Sequence, residues 1–251
     1  MCKMKQLLLF ICIFFSLLSF GQTNFLSQGK ITYERRISQF NINQQEDDQE
    51  NFWNEEMKKL MSKVLVDEFI LEFSPEKSFF KSGKENSANK YMWGLELLKP
   101  NDKNVVYQDF SQQNAIMTRT IFEKNYFLSD SIKKFEWKIS GEVREIVGFE
   151  CKKAVTKICD SVVVVAFYTD QIPTPGGPEN FNVLPGMILG LAIPRLASTW
   201  FATKIENIPV NIVPSTSKSK KTIWTEINKE VTKATKSWGK NAATLQWIAN
   251  L

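Results

Sequence analysis

Three carboxylates, Asp170, Glu179 and Glu206, and the phenol of Tyr168 are the side chains able to do acid–base chemistry in the most patterned stretch of this sequence. Two carboxyl groups held about 5–10 Å apart in a cleft would support glycosidase-type hydrolysis. A carboxylate-dependent hydrolase is therefore the enzymatic reading these residues allow. The plainer reading gives Asp170 to a turn cap and Glu179 to solvent. We prefer it, and no residue is assigned a catalytic role. Histidine is absent from the chain. Imidazole is the usual general base near neutral pH and the commonest metal ligand. Its absence excludes Ser-His-Asp and Cys-His hydrolases, histidine-ligated zinc proteases and His-rich copper or iron sites. Calcium binding by oxygen ligands survives in principle. The acidic run Glu46, Asp47, Asp48 and Glu50 lacks the ligand spacing and central glycine of an EF-hand and reads as a solvated charge run. No metal site and no cofactor are assigned, and without GxGxxG or GxxxxGK[ST] there is no nucleotide site.

The N-terminus specifies an address. Lys3 and Lys5 precede an apolar run from Leu7 to Leu18, then Ser19, Phe20 and Gly21, then polar Gln22. This is the basic, apolar, small-residue plan of a cleavable secretory signal over residues 1–21. The run is shorter than the roughly 20 residues a spanning helix needs. Cys12 follows Phe10 and Ile11 inside that run, without the small residue a lipoprotein acceptor requires, so a lipid-modified terminus is rejected. The expectation is an exported protein, periplasmic, outer-membrane associated or secreted. Losing Lys3 and Lys5 with the signal lowers the formal net charge from +5 to +3. That balance argues against nucleic acid as a partner, which would call for a concentrated basic footprint.

An oxidising exterior permits Cys151 and Cys159 to pair. However, a strand over 150–156 and a turn over 157–161 would place Cys151 roughly 20 Å from Cys159 at about 3.3 Å per residue. A disulfide wants Cα atoms within about 7 Å, so pairing is not expected.

The elements that must position these groups are mostly strands. GKITYERRISQFNI alternates from Gly29, with Ile31, Tyr33, Arg35 and Ile37 on one set of positions. Residues 51–66 instead repeat at three and four, with Phe52, Trp53, Met57, Leu60, Met61, Val64 and Leu65 forming one stripe. That spacing predicts an amphipathic helix packed on the sheet, its stripe a packing surface and its body a possible cover. From Asp67 short strands recur, parted by turn chemistry at Ser74-Pro75, Ser82-Gly83, Pro100-Asn101 and Ser140-Gly141. The pattern predicts a mainly β (α+β) fold, an antiparallel meander in a strongly curved sheet or half-barrel. VVVVAFY over 162–168 is apolar on both faces and is expected to be central and covered. The domain plan is signal 1–21, β domain 22–214 and basic segment 215–251. In that last segment Lys218, Lys220, Lys221, Lys229, Lys233, Lys236 and Lys240 face only Glu226 and Glu230. Ile223, Trp224, Ile227 and Val231 at helical spacing would dock a helix over 225–237 and leave its lysines wet. Peripheral membrane contact is the alternative.

The run from Ile146 to Glu206 resembles the GLPGLI family of exported Bacteroidota proteins. The hallmark hexapeptide stands here as Val183, Leu184, Pro185, Gly186, Met187 and Ile188, and departs at two positions. Gly148-Phe149-Glu150-Cys151-Lys152-Lys153-Ala154 is similar to the family's Gly-Tyr-x-Cys-Lys-Lys-Ala block, Ala166-Phe167-Tyr168-Thr169 to its Ala-Trp-Tyr-Thr strand end, and Ala202-Thr203-Lys204-Ile205 to a later strand. The opening Ile31-Thr32-Tyr33-Glu34 fits its first strand. The resemblance implies the whole domain after the signal but no reaction. Val183 stands where the family has glycine, and a β-branched residue follows positive φ poorly, so the turn is expected to be built differently here.

Pro and Gly in the hexapeptide suit a tight strand start without any ligand. The sharper expectation is that Leu184, Pro185, Gly186, Met187 and Ile188, with the Pro/Gly loop before them, rim an apolar binding pocket covered by the 51–66 helix. Function is accordingly expected to be non-enzymatic binding of an apolar ligand or an envelope protein. A carboxylate-dependent hydrolase, or an accessory partner of an outer-membrane receptor, are the alternatives.

Overall fold

The computed structural model describes residues 25–39, 64–91, 95–159, 161–217, 220–239 and 241–251. The period-2 pattern of the opening strand is realised in β1 (Gly29–Ile37), whose Ile31, Tyr33, Arg35 and Ile37 are all buried on one face. β1 lies in the middle of the sheet. On one side of it follow, in chain order, β2 (Leu65–Phe73), β3 (Lys77–Ser82), β4 (Val105–Asp109), β5 (Asn114–Ile121) and β6 (Lys124–Ser131). On the other side the chain returns inward from the edge strand β7 (Lys138–Ile146) through β8 (Phe149–Ile158), β9 (Val162–Thr169) and β10 (Met187–Ile193) to β11 (Ser198–Glu206), which pairs antiparallel with β1. A short strand, β12 (Lys221–Thr222), adds parallel to β6, and the resulting twelve-stranded sheet is not closed. The expected mainly β, antiparallel meander is the observed fold.

Curvature follows from one connection. β6 and β7 are consecutive in sequence and joined by residues 132–137, yet they stand ten strand steps apart in the sheet. A flat sheet would separate them by about 48 Å at about 4.8 Å per step. The connection can span only about 24 Å when fully extended. The sheet must therefore curl into an open half-barrel.

Its concave side is filled by the chain itself. Tyr33, Phe73, Phe181 and Trp200 are among the largest fully buried side chains. The Tyr33 hydroxyl donates to the Ile188 carbonyl at 2.6 Å, tying the middle strand to β10. Loop 170–186, between β9 and β10, crosses to the opposite wing. There Thr174 Oγ1 donates to the Ser74 carbonyl at 2.8 Å, Arg119 of β5 pairs with Glu179 at 2.9 Å, and Gln108 Nε2 donates to the Asn180 carbonyl at 3.4 Å. The short connection holds the loop from a third direction: Trp137 Nε1 donates to the Asn182 carbonyl at 2.9 Å, and Phe135 packs on Phe181 at 5.0 Å between ring centroids.

Two helices complete the filling. α1 (Trp224–Thr235) buries Ile227 and Val231 while Lys229 and Lys233 stay exposed, the docked arrangement its spacing predicts. Its Glu230 carboxylate accepts from Lys124 Nζ and the Tyr126 hydroxyl of β6, both at 2.7 Å. α2 (Asn241–Ala249) lies against α1 and a 3-10 turn at Glu96–Leu98, and Arg195 stacks 4.7 Å from the Trp247 ring centroid. No helix among the described residues is long and apolar enough to cross a membrane.

Several elements differ from expectation. The predicted helix falls largely on 51–63, outside the described residues, as does the acidic run at 46–50. Leu65 and Val66, assigned to that helix, instead open β2 in register with Ile37 and Arg36. Ser140 and Gly141 make no turn. They lie within β7, whose register slips between Ile139 and Val143 because β8 runs on unbroken opposite it and the surplus residues bulge out. β9 is covered unevenly on its outer face: Val163 is 37% exposed, whereas Phe167 is buried beneath the Arg144 guanidinium. β12 and α2 are not foreshadowed by periodicity.

Cys151 is buried in β8 and Cys159 follows that strand's far end, so the two thiols are free of each other as the spacing predicts. Burial pushes the Cys151 thiol up to about 12. Of these two thiols, a maleimide reagent at pH 8 should modify Cys159 in the native chain and reach Cys151 only after unfolding. Mass spectrometry of the labelled peptides checks this.

Candidate functional site

The hexapeptide builds the interior more than it lines a surface. Leu184, Met187 and Ile188 are at most 2% exposed, and of the five residues expected to rim a pocket only Pro185 reaches solvent. Gly186 is required by its backbone: at φ +147° a Cβ there would sit 2.0 Å from the Thr169 carbonyl oxygen. Val183 adopts φ +72°. The turn thus keeps a glycine-like geometry although a β-branched residue occupies it. Its amide donates to the Pro175 carbonyl at 3.2 Å, and its neighbours Asn182 and Leu184 are buried, so the local fold overrides the side chain's preference.

A buried charge network crosses the concave face. Arg35 and Asp67 stand directly opposite in the β1–β2 register and pair at 2.7 Å, with side chains 3% and 2% exposed. The Arg35 guanidinium also donates to the Leu98 carbonyl and lies 4.8 Å from the Phe69 ring centroid and 5.9 Å from that of Trp200. Asp67 further accepts from Asn89 Nδ2 and the Tyr91 hydroxyl, each at 2.7 Å. Burial, then the hydrogen bond and charge of Asp67, push the Tyr91 phenol well above its ordinary value against the opposing pull of Arg35. Periodicity hinted at this network, because Arg35 shares its face with Ile31, Tyr33 and Ile37. The partner residue was not readable.

Beside the network lies a cavity of about 40 Å³, lined among others by Arg35, Leu98, Arg119, Glu179, Ile248 and Leu251. Such a volume suits a few ordered waters. α2 and the residues after it close it on one side.

The candidate acids do not form one constellation. Asp170, exposed, pairs with Lys152 at 2.7 Å; Glu179, buried, pairs with Arg119 at 2.9 Å; Glu206 pairs with Lys204 at 2.7 Å. Tyr168 is 3% exposed within β9. No group of three Asp, Glu or Cys side chains arranged for a metal occurs among the described residues.

A roomier site, a groove of about 330 Å³, lies on the outside of the sheet, between residues 215–217 and strands β3 to β6. Residues 207–217 lead from β11 past the intervening strands toward β12, which brings 215–217 over this wing. Half-buried Phe79 and the side chains of Thr118, Thr120 and Asn125 line the groove, with Asp102 and Lys103 exposed on its border. Hydrogen bonds order the floor. Thr118 Oγ1 donates to the Lys103 carbonyl, the Thr120 amide donates to Asn104 Oδ1 at 2.8 Å, and Thr120 Oγ1 donates to Asn125 Oδ1 at 2.8 Å. One shielded polar atom here, Ser215 Oγ, has no partner among the described residues.

Comparison with known proteins places this geometry. The family described as N-glycanase peptide, N-terminal domain, matches residues 57–230. Two crystal forms of PNGF-II share the fold. In the C2 form the TM-score is 0.51 at 16% identity over 89% of this chain and 33% of that one, and in the P21 form 0.51 at 17% over 81% and 32%. The chain thus spans about a third of the length of PNGF-II. No curated protein matches it.

Two expectations concern stability. Val183→Gly should stabilise by about 1 kcal/mol, the relief of roughly 2 kcal/mol of backbone strain less the larger unfolded-state entropy of glycine, whereas Gly186→Ala should destabilise by at least about 2–3 kcal/mol from strain and overlap. Arg35→Met or Asp67→Leu alone should cost about 3–5 kcal/mol by stranding one buried charge, and the double substitution much less than the sum. Urea denaturation of the four single variants and the double variant checks both.

Proposed function

This chain belongs to the N-glycanase peptide, N-terminal domain family, and we propose that it is an exported envelope protein whose job is to bind glycan-bearing ligands without cleaving them. The family match over residues 57–230 carries the glycan part of the reading. The leader-like residues 1–21 and the GLPGLI-like blocks support the exported address.

Binding, not turnover, is favoured by what occupies the concave face. An enzyme built in such a trough would keep a cleft with converging groups. Here loop 170–186, α1 and α2 fill it, and the cavity beside the Arg35–Asp67 pair is only about 40 Å³. The carboxylate-hydrolase reading has weaker support, because Asp170, Glu179 and Glu206 are each engaged by a different cation.

Titration calorimetry of the purified chain against an asparagine-linked glycopeptide, and against the same peptide without its sugar, tests the reading. Saturable binding of the glycosylated form alone, with no change in its mass on incubation, is the expected outcome. Equal affinity for the bare peptide would refute the glycan reading. Release of the sugar would refute the non-enzymatic one.

A further inference from the structure

We infer that the groove on the outside of β3 to β6, under residues 215–217, is the saccharide-binding site of this chain, an assignment that rests on the glycan reading above. Its chemistry carries the inference. Sugar rings present apolar C–H faces and a fringe of hydroxyls, so a site for them combines an aromatic side chain with neutral donors and acceptors fixed in place. Phe79 supplies the aromatic side chain. Thr118, Thr120 and Asn125 supply the polar fringe; the Thr120–Asn125 bond and the bonds of Thr118 to the Lys103 carbonyl and of the Thr120 amide to Asn104 hold it in one arrangement before any ligand arrives. Asn125 gives its Oδ1 to Thr120 and so keeps its Nδ2 amide directed to other acceptors.

Charge and satisfaction narrow the ligand class. Asp102 and Lys103 are adjacent and opposite in sign, and the Arg119 guanidinium is taken by Glu179 at 2.9 Å, so the groove holds no uncompensated charge to recruit an anion. Ser215 Oγ is shielded from solvent and without a partner among the described residues. Buried polar atoms are rarely left so, and a hydroxyl-rich ligand would satisfy it. The volume of about 330 Å³ lies at the lower end of ligand pockets, about 300–1,000 Å³. That is room for a short saccharide and not for a folded partner.

Calorimetry of the full chain with three probes, an asparagine-linked glycopeptide, its released free oligosaccharide and the bare peptide, tests the assignment in the native sequence, Asn125→Ala, Phe79→Ala and Thr216→Trp. Asn125 and Thr216 are exposed, so their variants keep the fold even if Phe79→Ala loosens it. The expected result is sugar-dependent binding weakened about tenfold by Asn125→Ala, the loss of one or two well-made hydrogen bonds, and abolished by Thr216→Trp, which fills the groove. Comparable affinity for free oligosaccharide and glycopeptide would show that the sugar alone is read. Tighter binding of the glycopeptide with the same variant sensitivity would add a peptide contact at the border. Glycopeptide binding unchanged in Asn125→Ala and Thr216→Trp would overturn the groove while leaving the glycan reading intact. Failure of the native chain to bind any sugar-bearing probe would overturn both.

Discussion

The connection between β6 and β7 sets the shape on which the rest depends. Residues 132–137 cannot reach across a flat sheet of this width, so the two wings have to curl toward each other. A curled sheet has a concave face that must exclude water or be filled. This chain fills it with its own loop 170–186, whose Glu179, Asn180, Phe181 and Asn182 are all at most 5% exposed and meet groups from both wings and from the connection itself. Pro and Gly in that loop are there because a tightly turning segment is buried, and the hexapeptide at its end inherits the same role.

Polar groups carried inside by this arrangement need internal partners. Arg35 and Asp67 answer one another across β1 and β2, and Asn89, Tyr91 and the Leu98 carbonyl take up the remaining valences. Arg119 and Glu179 join the loop to β5 in the same way. Each pair locks a register or a loop position: once a charge is buried, any slip would strand it. With the trough filled in this manner, the strap at 215–217 forms a sizeable recess on the outside of the sheet.

Strands were readable wherever one face is dry and the other is not. β1 shows its five buried positions directly as a period of two, and α1 shows Ile227 and Val231 at a period of four. Reading failed where a partner decides the outcome. Ser140-Gly141 looks like a turn in isolation but lies within a strand because β8 continues opposite it. Val183 looks unable to take positive φ but is held there by Pro175 and by buried neighbours. Leu184, Met187 and Ile188 look like a pocket rim, and in the fold they are core.

Local patterning thus determined the strand content, the antiparallel class, the docked C-terminal helix and the separation of the two thiols, because alternation and spacing act over a few residues. The absence of histidine bounded the chemistry without any structure at all. Only the tertiary structure decided which residues meet. Phe79, Thr118, Asn125 and Ser215 come from three strands and a distant strap, and no periodicity links them. They converge because the curled sheet fixes the order of its strands and obliges the chain after β11, residues 207–217, to travel toward the β6 edge. That route is a property of the strand order of the whole curled sheet and not of any segment within it.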